Sequence, residues 1–251
     1  MLLEKLFGKQ PVLEALKANK RAIEKIYIRR EQLDKDIKKI YEFANLHRIK
    51  IKEVPDRKVL DNMVQNSSHQ GVIALISPKE YIDLDDLFNK LKKTETSPCL
   101  IALDEVEDPR NLGSIIRTAD AANINGVILP KHRAAHITNI VAKTSAGAVE
   151  YLDICLVSNL ANSLDRLKKE DFWIVGIDAQ ASQTIWELDL IKPVVLVIGG
   201  EGSGIRPLIK KKCDQLAAIP MLGHVTSLNT SVATGLAMYE IMRQKTCLQT
   251  D

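Results

Sequence analysis

The sequence predicts an α/β protein: a larger C-terminal part built on a mainly parallel sheet, and a smaller α/β unit ahead of it. Three observations carry this. From residue 98 onward, short apolar runs alternate with stretches of helical periodicity, the pattern of a parallel sheet covered on both faces. Before residue 80 the strand-like runs are half polar and again separated by helical patterns. Between the two lies YIDLDDLFNKLKKTETSP, whose end, Thr94-Glu95-Thr96-Ser97-Pro98, is the clearest polar linker in the chain. The expected organisation is a front domain over residues 1–80, a linker over 81–97 and a second domain over 98–251.

In order, Gly8-Lys9-Gln10-Pro11 opens a helix, because Pro11 suits a first turn and Val12, Leu13 and Leu16 share a face. Ile26 and Ile28 alternate with Lys25, Tyr27 and Arg29 as in a half-exposed strand. Asp34 is placed to cap the next helix, with Ile37, Ile40, Tyr41 and Ala44 as its inward stripe. Ile49, Ile51 and Val54 form a strand. A short helix follows, with Val59, Leu60 and Met63 inward, and Gly71 to Ile76 reads as a buried strand. Asp83 to Lys93 has the period of a short amphipathic helix. The second part then offers strands at Leu100–Leu103, Gly126–Leu129, Phe172–Ile177, Val194–Ile198 and Leu216–Ile219. Helical patterns fill the gaps at Leu112–Ala122, Ile137–Lys143, Leu160–Lys168, Pro207–Lys212 and Asn229–Arg243.

Composition narrows the function classes. At 251 residues and 45% hydrophobic the chain can bury a proper core, while 4% aromatics leaves little for base-stacking platforms. No apolar run approaches a membrane span, and charges interrupt the apolar N-terminus, so a cytoplasmic protein without a signal peptide is expected. Cys99, Cys155, Cys213 and Cys247 are too far apart for a CxxC pair, and the five histidines show no metal spacing; reduced thiols and no metal are expected. His132 and His136, four apart, read as surface or RNA-facing. The net charge of +3 hides an asymmetry: residues 1–80 hold 17 Lys+Arg against 11 Asp+Glu, the remainder 18 against 21. A basic front suggests a polyanionic partner there.

Three stretches carry candidate chemistry. The apolar run Val194–Ile198 empties into Gly199-Gly200-Glu201-Gly202-Ser203-Gly204, and a second run ends at Ile219-Pro220 before Ser227-Leu228-Asn229 opens a helix. Two strands delivering irregular loops to one place make a ligand crevice beyond the strand ends of an open sheet, although each loop alone also reads as an ordinary βα turn. The glycine loop comes late, holds Glu201 rather than a lysine, and the first strand is followed by the acidic Asp104-Glu105-Val106-Glu107-Asp108; a phosphate fits poorly. A ligand with hydroxyls, an amine and a purine edge suits exposed backbone and one carboxylate better. The third stretch is Asn111-Leu112-Gly113-Ser114-Ile115-Ile116-Arg117, where Asn111 can cap a helix that carries Arg117 nearly two turns on.

These residues resemble the SpoU (TrmH-type) branch of the SPOUT RNA 2′-O-ribose methyltransferases. Its three motifs match LDEVEDPRNLGSIIRTADA (Leu103 to Ala121), VLVIGGEGSGIRP (Val195 to Pro207) and IPMLGHVTSLNTSVATGLAMYE (Ile219 to Glu240), and KTSAGAVE (Lys143 to Glu150) is similar to the segment between them. The front, with GKQPVLEALK and HQGVIA, resembles the L30e-like substrate-binding domain of the bacterial 23S rRNA guanosine methyltransferases of this branch.

The resemblance implies a C-terminal α/β-knot with a deep trefoil knot, an exception to the rule against threaded connections. It also implies S-adenosylmethionine as cofactor, a homodimer formed through the knotted domains, and 23S rRNA as substrate. By motif match Gly199, Gly200, Ile219 and Leu228 would contact the cofactor, and Asn111, Arg117, Glu201, Ser227 and Asn229 would take the active-site positions. The family's arginine, here Arg117, has been proposed as general base. A free guanidinium titrates above ~12, so holding a phosphate and stabilising a developing alkoxide suits it better. Alternatives under the same resemblance are a tRNA 2′-O-methyltransferase and a thiostrepton-resistance type rRNA adenosine methyltransferase; the ending at LQTD, without a basic extension, favours rRNA. A catalytically inert assembly factor is the reading from another class, and the intact motif residues oppose it.

Overall fold

The computed structural model describes residues 3–30, 34–65, 68–94 and 96–247; Glu95 of the expected linker and the terminal LQTD lie outside them. In chain order the elements are β1 (Glu4–Phe7), α1 (Lys9–Ala18), β2 (Ile23–Arg29), α2 (Lys35–Leu46), β3 (Lys50–Val54), α3 (Arg57–Met63) and β4 (Val72–Ile76). There follow α4 (Leu84–Leu91), β5 (Cys99–Asp104), α5 (Pro109–Ala121), β6 (Gly126–Pro130), α6 (Asn139–Thr144), β7 (Ile154–Val157) and α7 (Leu160–Lys169). The chain ends with β8 (Trp173–Ile177), β9 (Val194–Gly199), α8 (Pro207–Lys210), β10 (Gln215–Ala217) and α9 (Thr230–Cys247).

Two compact units result. The smaller contains residues 1–80 together with 137–151, so the segment holding KTSAGAVE packs with the front of the chain. Its sheet runs β1-β4-β2-β3, with β2 and β3 parallel and the other pairs antiparallel. Alternation along β2 buries Ile26 and Ile28, and Val12, Leu13 and Leu16 of α1 and Ile37, Ile40 and Ala44 of α2 are likewise buried. Asp34 caps α2 as expected, accepting from the N–H groups of Asp36 and Ile37 at 3.2 Å. On α3 it is Leu60 that is buried; Val59 faces outward, and Val64, just past the helix, takes the inward place. A buried ion pair, Arg21 Nη1 to Glu150 Oε1 at 2.9 Å, ties the 137–151 segment into this unit.

The larger unit contains residues 81–136 and 152–251. All six strands are parallel, in the order β10-β8-β9-β5-β6-β7. Residues 81–97, expected to be a linker, hold α4, capped by Asp83 and packed through Leu84, Leu87, Phe88 and Leu91 into the core with Leu160, Leu164 and Leu167 of α7. The helical period of that stretch is what buries it. Helix α9 packs on β9 and α5. Two strands were not legible in the sequence: β1, and β7, whose Ile-Cys-Leu-Val is only four residues long. His132 and His136 lie exposed in the loop after β6 and share no helix. No helix among the described residues is long and apolar enough to cross a membrane.

Candidate active site

The carboxyl ends of β8 and β9 open into a cavity of about 490 Å³. Its wall is the loop Ile198–Ile205, the segment Ile177–Gln180 after β8, Ile219 and Met221 after β10, and Ser227–Thr230 at the start of α9. Parallel strands point their carboxyl ends the same way, so loops far apart in sequence meet at one edge of the sheet.

The glycine loop is tight for steric reasons. A Cβ on Gly199 would stand 2.0 Å from the carbonyl carbon of Gly204, and one on Gly200 would stand 2.2 Å from the Glu105 carbonyl oxygen. No side chain fits at either position. The loop turns back through Gly202 and Gly204, both at positive φ, 84° and 64°.

Its far end is held by Asp104, at the end of β5. That carboxylate is fully buried and accepts from the backbone N–H of Arg206 at 2.9 Å, from its Nε at 2.8 Å and from its Nη2 at 2.6 Å. The hydrogen bonds to Asp104 raise the Arg206 guanidinium above its ordinary value, against the opposing effect of burial. The first residue of the acidic stretch Asp104–Asp108, read from sequence as repelling a phosphate, is thus turned inward as a structural anchor. On the opposite wall Asp178 pairs with Lys210. Burial pushes the Asp178 carboxyl up, but hydrogen bonds from Lys210 and the Gln180 N–H, and the Lys210 charge, outweigh it and the net shift is downward. Met221, Asp178, Gln180 and Lys210 line the cavity without having been singled out from sequence, where nothing but strand-end position could have marked them.

Most of the sequence-predicted residues converge here. Gly199, Gly200, Glu201, Ile219, Ser227, Leu228 and Asn229 all line the cavity. Asn111, in the first turn of α5, joins through hydrogen bonds: its Nδ2 donates to Glu201 Oε1 at 2.5 Å, and its Oδ1 accepts from Asn229 Nδ2 at 3.0 Å. Asp108, not Asn111, caps α5. Asn229 is both cap and site residue, since its Oδ1 accepts from the N–H of Ser231 at 2.9 Å and of Val232 at 3.3 Å. These bonds orient a relay. With Oδ1 committed to the helix end, the Asn229 amide must present its NH₂ to Asn111, whose own NH₂ is then directed at Glu201. Arg117 stands apart: exposed on α5, it neither lines the cavity nor forms a hydrogen bond or ion pair with a described residue. Of the small residues early in α9, Gly235 faces α5, where a Cβ on it would meet Thr118 Cγ2 at an ordinary 3.6 Å, and Ala233 lines the cavity.

The arrangement provides backbone groups, an apolar wall and one exposed carboxylate, and no cluster of cations for a polyphosphate. Among the described residues no group of three or more His, Cys, Asp or Glu is placed to hold a metal ion.

Comparison with known proteins gives consistent matches. The model of the SpoU rRNA methylase family matches residues 98–239, and that of the RNA 2′-O ribose methyltransferase substrate-binding domain matches residues 5–82. The chain is 44% identical over 240 residues to YacO of Bacillus subtilis, assigned to the TrmH family of tRNA/rRNA methyltransferases, covering 96% of this chain and 95% of that protein. It is 39% identical over 246 residues to the 23S rRNA (guanosine-2′-O-)-methyltransferase RlmB of Pseudomonas aeruginosa, covering 98% of each. Among solved structures, the AdoMet-bound rRNA methyltransferase of Sinorhizobium meliloti superposes with a TM-score of 0.77 at 25% identity, covering 96% of this chain and 87% of that one. The SpoU methyltransferase AviRb of Streptomyces viridochromogenes shares the fold with a TM-score of 0.81 at 23% identity, over 98% of this chain and 91% of that one.

Proposed function

The chain belongs to the SpoU rRNA methylase family, and from that premise we propose that it methylates a ribose 2′-oxygen of RNA with S-adenosylmethionine as donor, its target a guanosine of 23S rRNA. The observation that carries the reading is the relay Asn229–Asn111–Glu201 at the rim of a 490 Å³ cavity, a size suited to a cofactor. The match of RlmB over 98% of both chains supports 23S rRNA, and the substrate-binding match at residues 5–82 supports an RNA substrate.

The residues present fit the cofactor. Backbone groups of Gly199, Gly200, Ile219 and Leu228, with the apolar side chains of Ile198, Ile205 and Met221, would hold an adenosyl group. When bound, S-adenosylmethionine supplies a methyl on a positively charged sulfur, already a good leaving group. The task left to the chain is orientation, and positioning alone contributes up to ~7–11 kcal/mol in favourable intramolecular models. Glu201, its carboxylate direction set by Asn111, and Ser227 offer the polar groups that would orient the ribose. Arg117 would grip the neighbouring phosphate and stabilise the developing 2′-oxyanion.

Because Arg117 lies away from the cavity of its own chain, we assign it to the cavity of a second copy in a homodimer. Val232, Leu236 and Tyr239 support this: they form an exposed apolar stripe on α9, the helix that packs beside α5. The trefoil knot and a cytoplasmic place of action belong to the same proposal, and the close passage of Gly200 against Glu105 is in keeping with a threaded path. The test is incubation with labelled S-adenosylmethionine and a 23S rRNA transcript, followed by mapping of ribose methylation. A single 2′-O-methylguanosine is the expected product; label on a base, or on tRNA in preference, would displace this assignment.

A further inference from the structure

The smaller unit has an open half-face whose register brings lysines together. Across the sheet, Lys5 of β1 is opposite Leu75 of β4, Leu75 is opposite Lys25 of β2, and Lys25 is partnered by Lys50 of β3. The next row is Phe7, Ile73, Tyr27 and Lys52. Side chains alternate between faces, so these two rows point to the same side. Helix α3 covers the second row, where Phe7, Tyr27, Ile73 and Val54 pack with Leu60, and the first row lies beyond that cover, with Leu75 only partly buried. Lys50 and Lys52 are exposed, and neither they nor Lys25 form an ion pair among the described residues; Lys52 Nζ stands 6.0 Å from the Tyr27 ring centroid. Lys5 Nζ donates to the Met63 carbonyl oxygen, not to a carboxylate.

Folding does not account for this row. Like charges on directly paired positions oppose sheet formation, and Lys25 beside Lys50, strands about 4.8 Å apart, is such a pair. The other face of the same sheet shows what a neutral solution looks like, where Glu53 of β3 accepts from Tyr41 of α2 at 2.9 Å. A cationic strip on the neighbouring strands β2 and β3, beside the Tyr27 ring, with Leu75 and then Lys5 across the sheet from it, matches a chain of phosphodiesters with nucleosides attached.

We propose that this half-face, Lys5, Lys25, Lys50 and Lys52 around Leu75, is where the smaller unit grips the phosphate backbone of the RNA substrate. The inference rests on the RNA methyltransferase reading above and adds the surface that holds the RNA. Each contacted phosphate releases counterions, so removing a gripping lysine lowers the salt dependence of binding by about 0.7–0.9 in the log–log slope. The experiment uses the full chain, a 23S rRNA transcript as probe and a series of monovalent salt concentrations. Lys25→Ala/Lys50→Ala/Lys52→Ala is expected to lower the slope by about 2–3 and to raise the apparent KM for RNA, with kcat at saturating RNA and S-adenosylmethionine affinity kept. The removal of two charges from the opposite side, Lys38→Ala/Lys39→Ala, is expected to leave the slope unchanged, and the triple Lys→Arg variant to restore it. An unchanged slope in the triple alanine variant, or an equal loss in the α2 variant, overturns the proposal while the methyltransferase reading stands. Failure of the unaltered protein to bind RNA at all overturns both.

Discussion

Removing the charge at Asp104 tests whether the glycine loop at the cavity is held from its far end. In Asp104→Asn the side-chain shape is kept, but one oxygen that accepts from Arg206 becomes an NH₂ facing N–H donors. Breaking a buried pair by altering one partner costs about 3–5 kcal/mol. Here the Arg206 side chain is 39% exposed and can be rehydrated, so the loss should be nearer ~2–3 kcal/mol. For a domain of this size that lowers Tm by about 5–10 °C. Because Arg206 closes the loop that begins at Gly199, S-adenosylmethionine affinity should fall as well. Arg206→Lys should lose less, since the backbone N–H to Asp104 survives while the forked contact does not. Calorimetric melting with titration of S-adenosylmethionine reads both quantities. An Asp104→Asn protein melting within about a degree of the parent and binding cofactor equally well would refute the argument that this anchor shapes the site.

Arg117→Ala should abolish methyl transfer while leaving S-adenosylmethionine affinity nearly intact, and mixing it with an Asn229→Ala chain should restore part of the activity if each cavity uses an arginine from the other copy. Gly199→Ala should prevent the loop from closing, because its Cβ has backbone 2.0 Å away and no flexible side chain to displace; cofactor binding measured by titration should be lost. Burial pushes the thiols of Cys99, Cys155 and Cys213 up to about 12, so alkylation at pH 8 followed by peptide mapping should label exposed Cys247 first and the other three only on unfolding. Asp178 and Glu240 titrate lower in the folded chain than their ordinary values of 3.8 and 4.5, the first held by Lys210 against burial and the second by its hydrogen bonds from Arg243. Their contribution to stability is therefore complete above about pH 5 and lost as pH falls through and below those values; Asp178→Asn with Glu240→Gln should flatten the acid limb of the urea midpoint.

The local steps were readable because they depend on neighbours in sequence. Asp34 caps the helix it precedes, Val194–Ile198 is a strand, and Asn229 sits at a helix start, all from spacing and residue type. The four-residue β7 carries too short a pattern to separate from its surroundings, and α4, legible as a helix, belongs to the larger unit and not to a linker because its apolar stripe is buried there. Asn111 reads as a cap from its residue type alone, but Asp108 caps α5 through the Arg110 N–H, and Asn111 lies inside the first turn, its side chain turned to Glu201 and Asn229.

Periodicity, caps and the order of three motifs were enough to establish an α/β chain with a parallel sheet and to name most of the residues around the cavity, because those features depend on interactions within a few positions. What depended on the folded chain was pairing across long separations: Asp104 with Arg206, Asn111 with Glu201 and Asn229, and the Lys5–Leu75–Lys25–Lys50 row. Each brings together groups from separate strands or loops, and strand order and register, which no local pattern encodes, decide which of them meet.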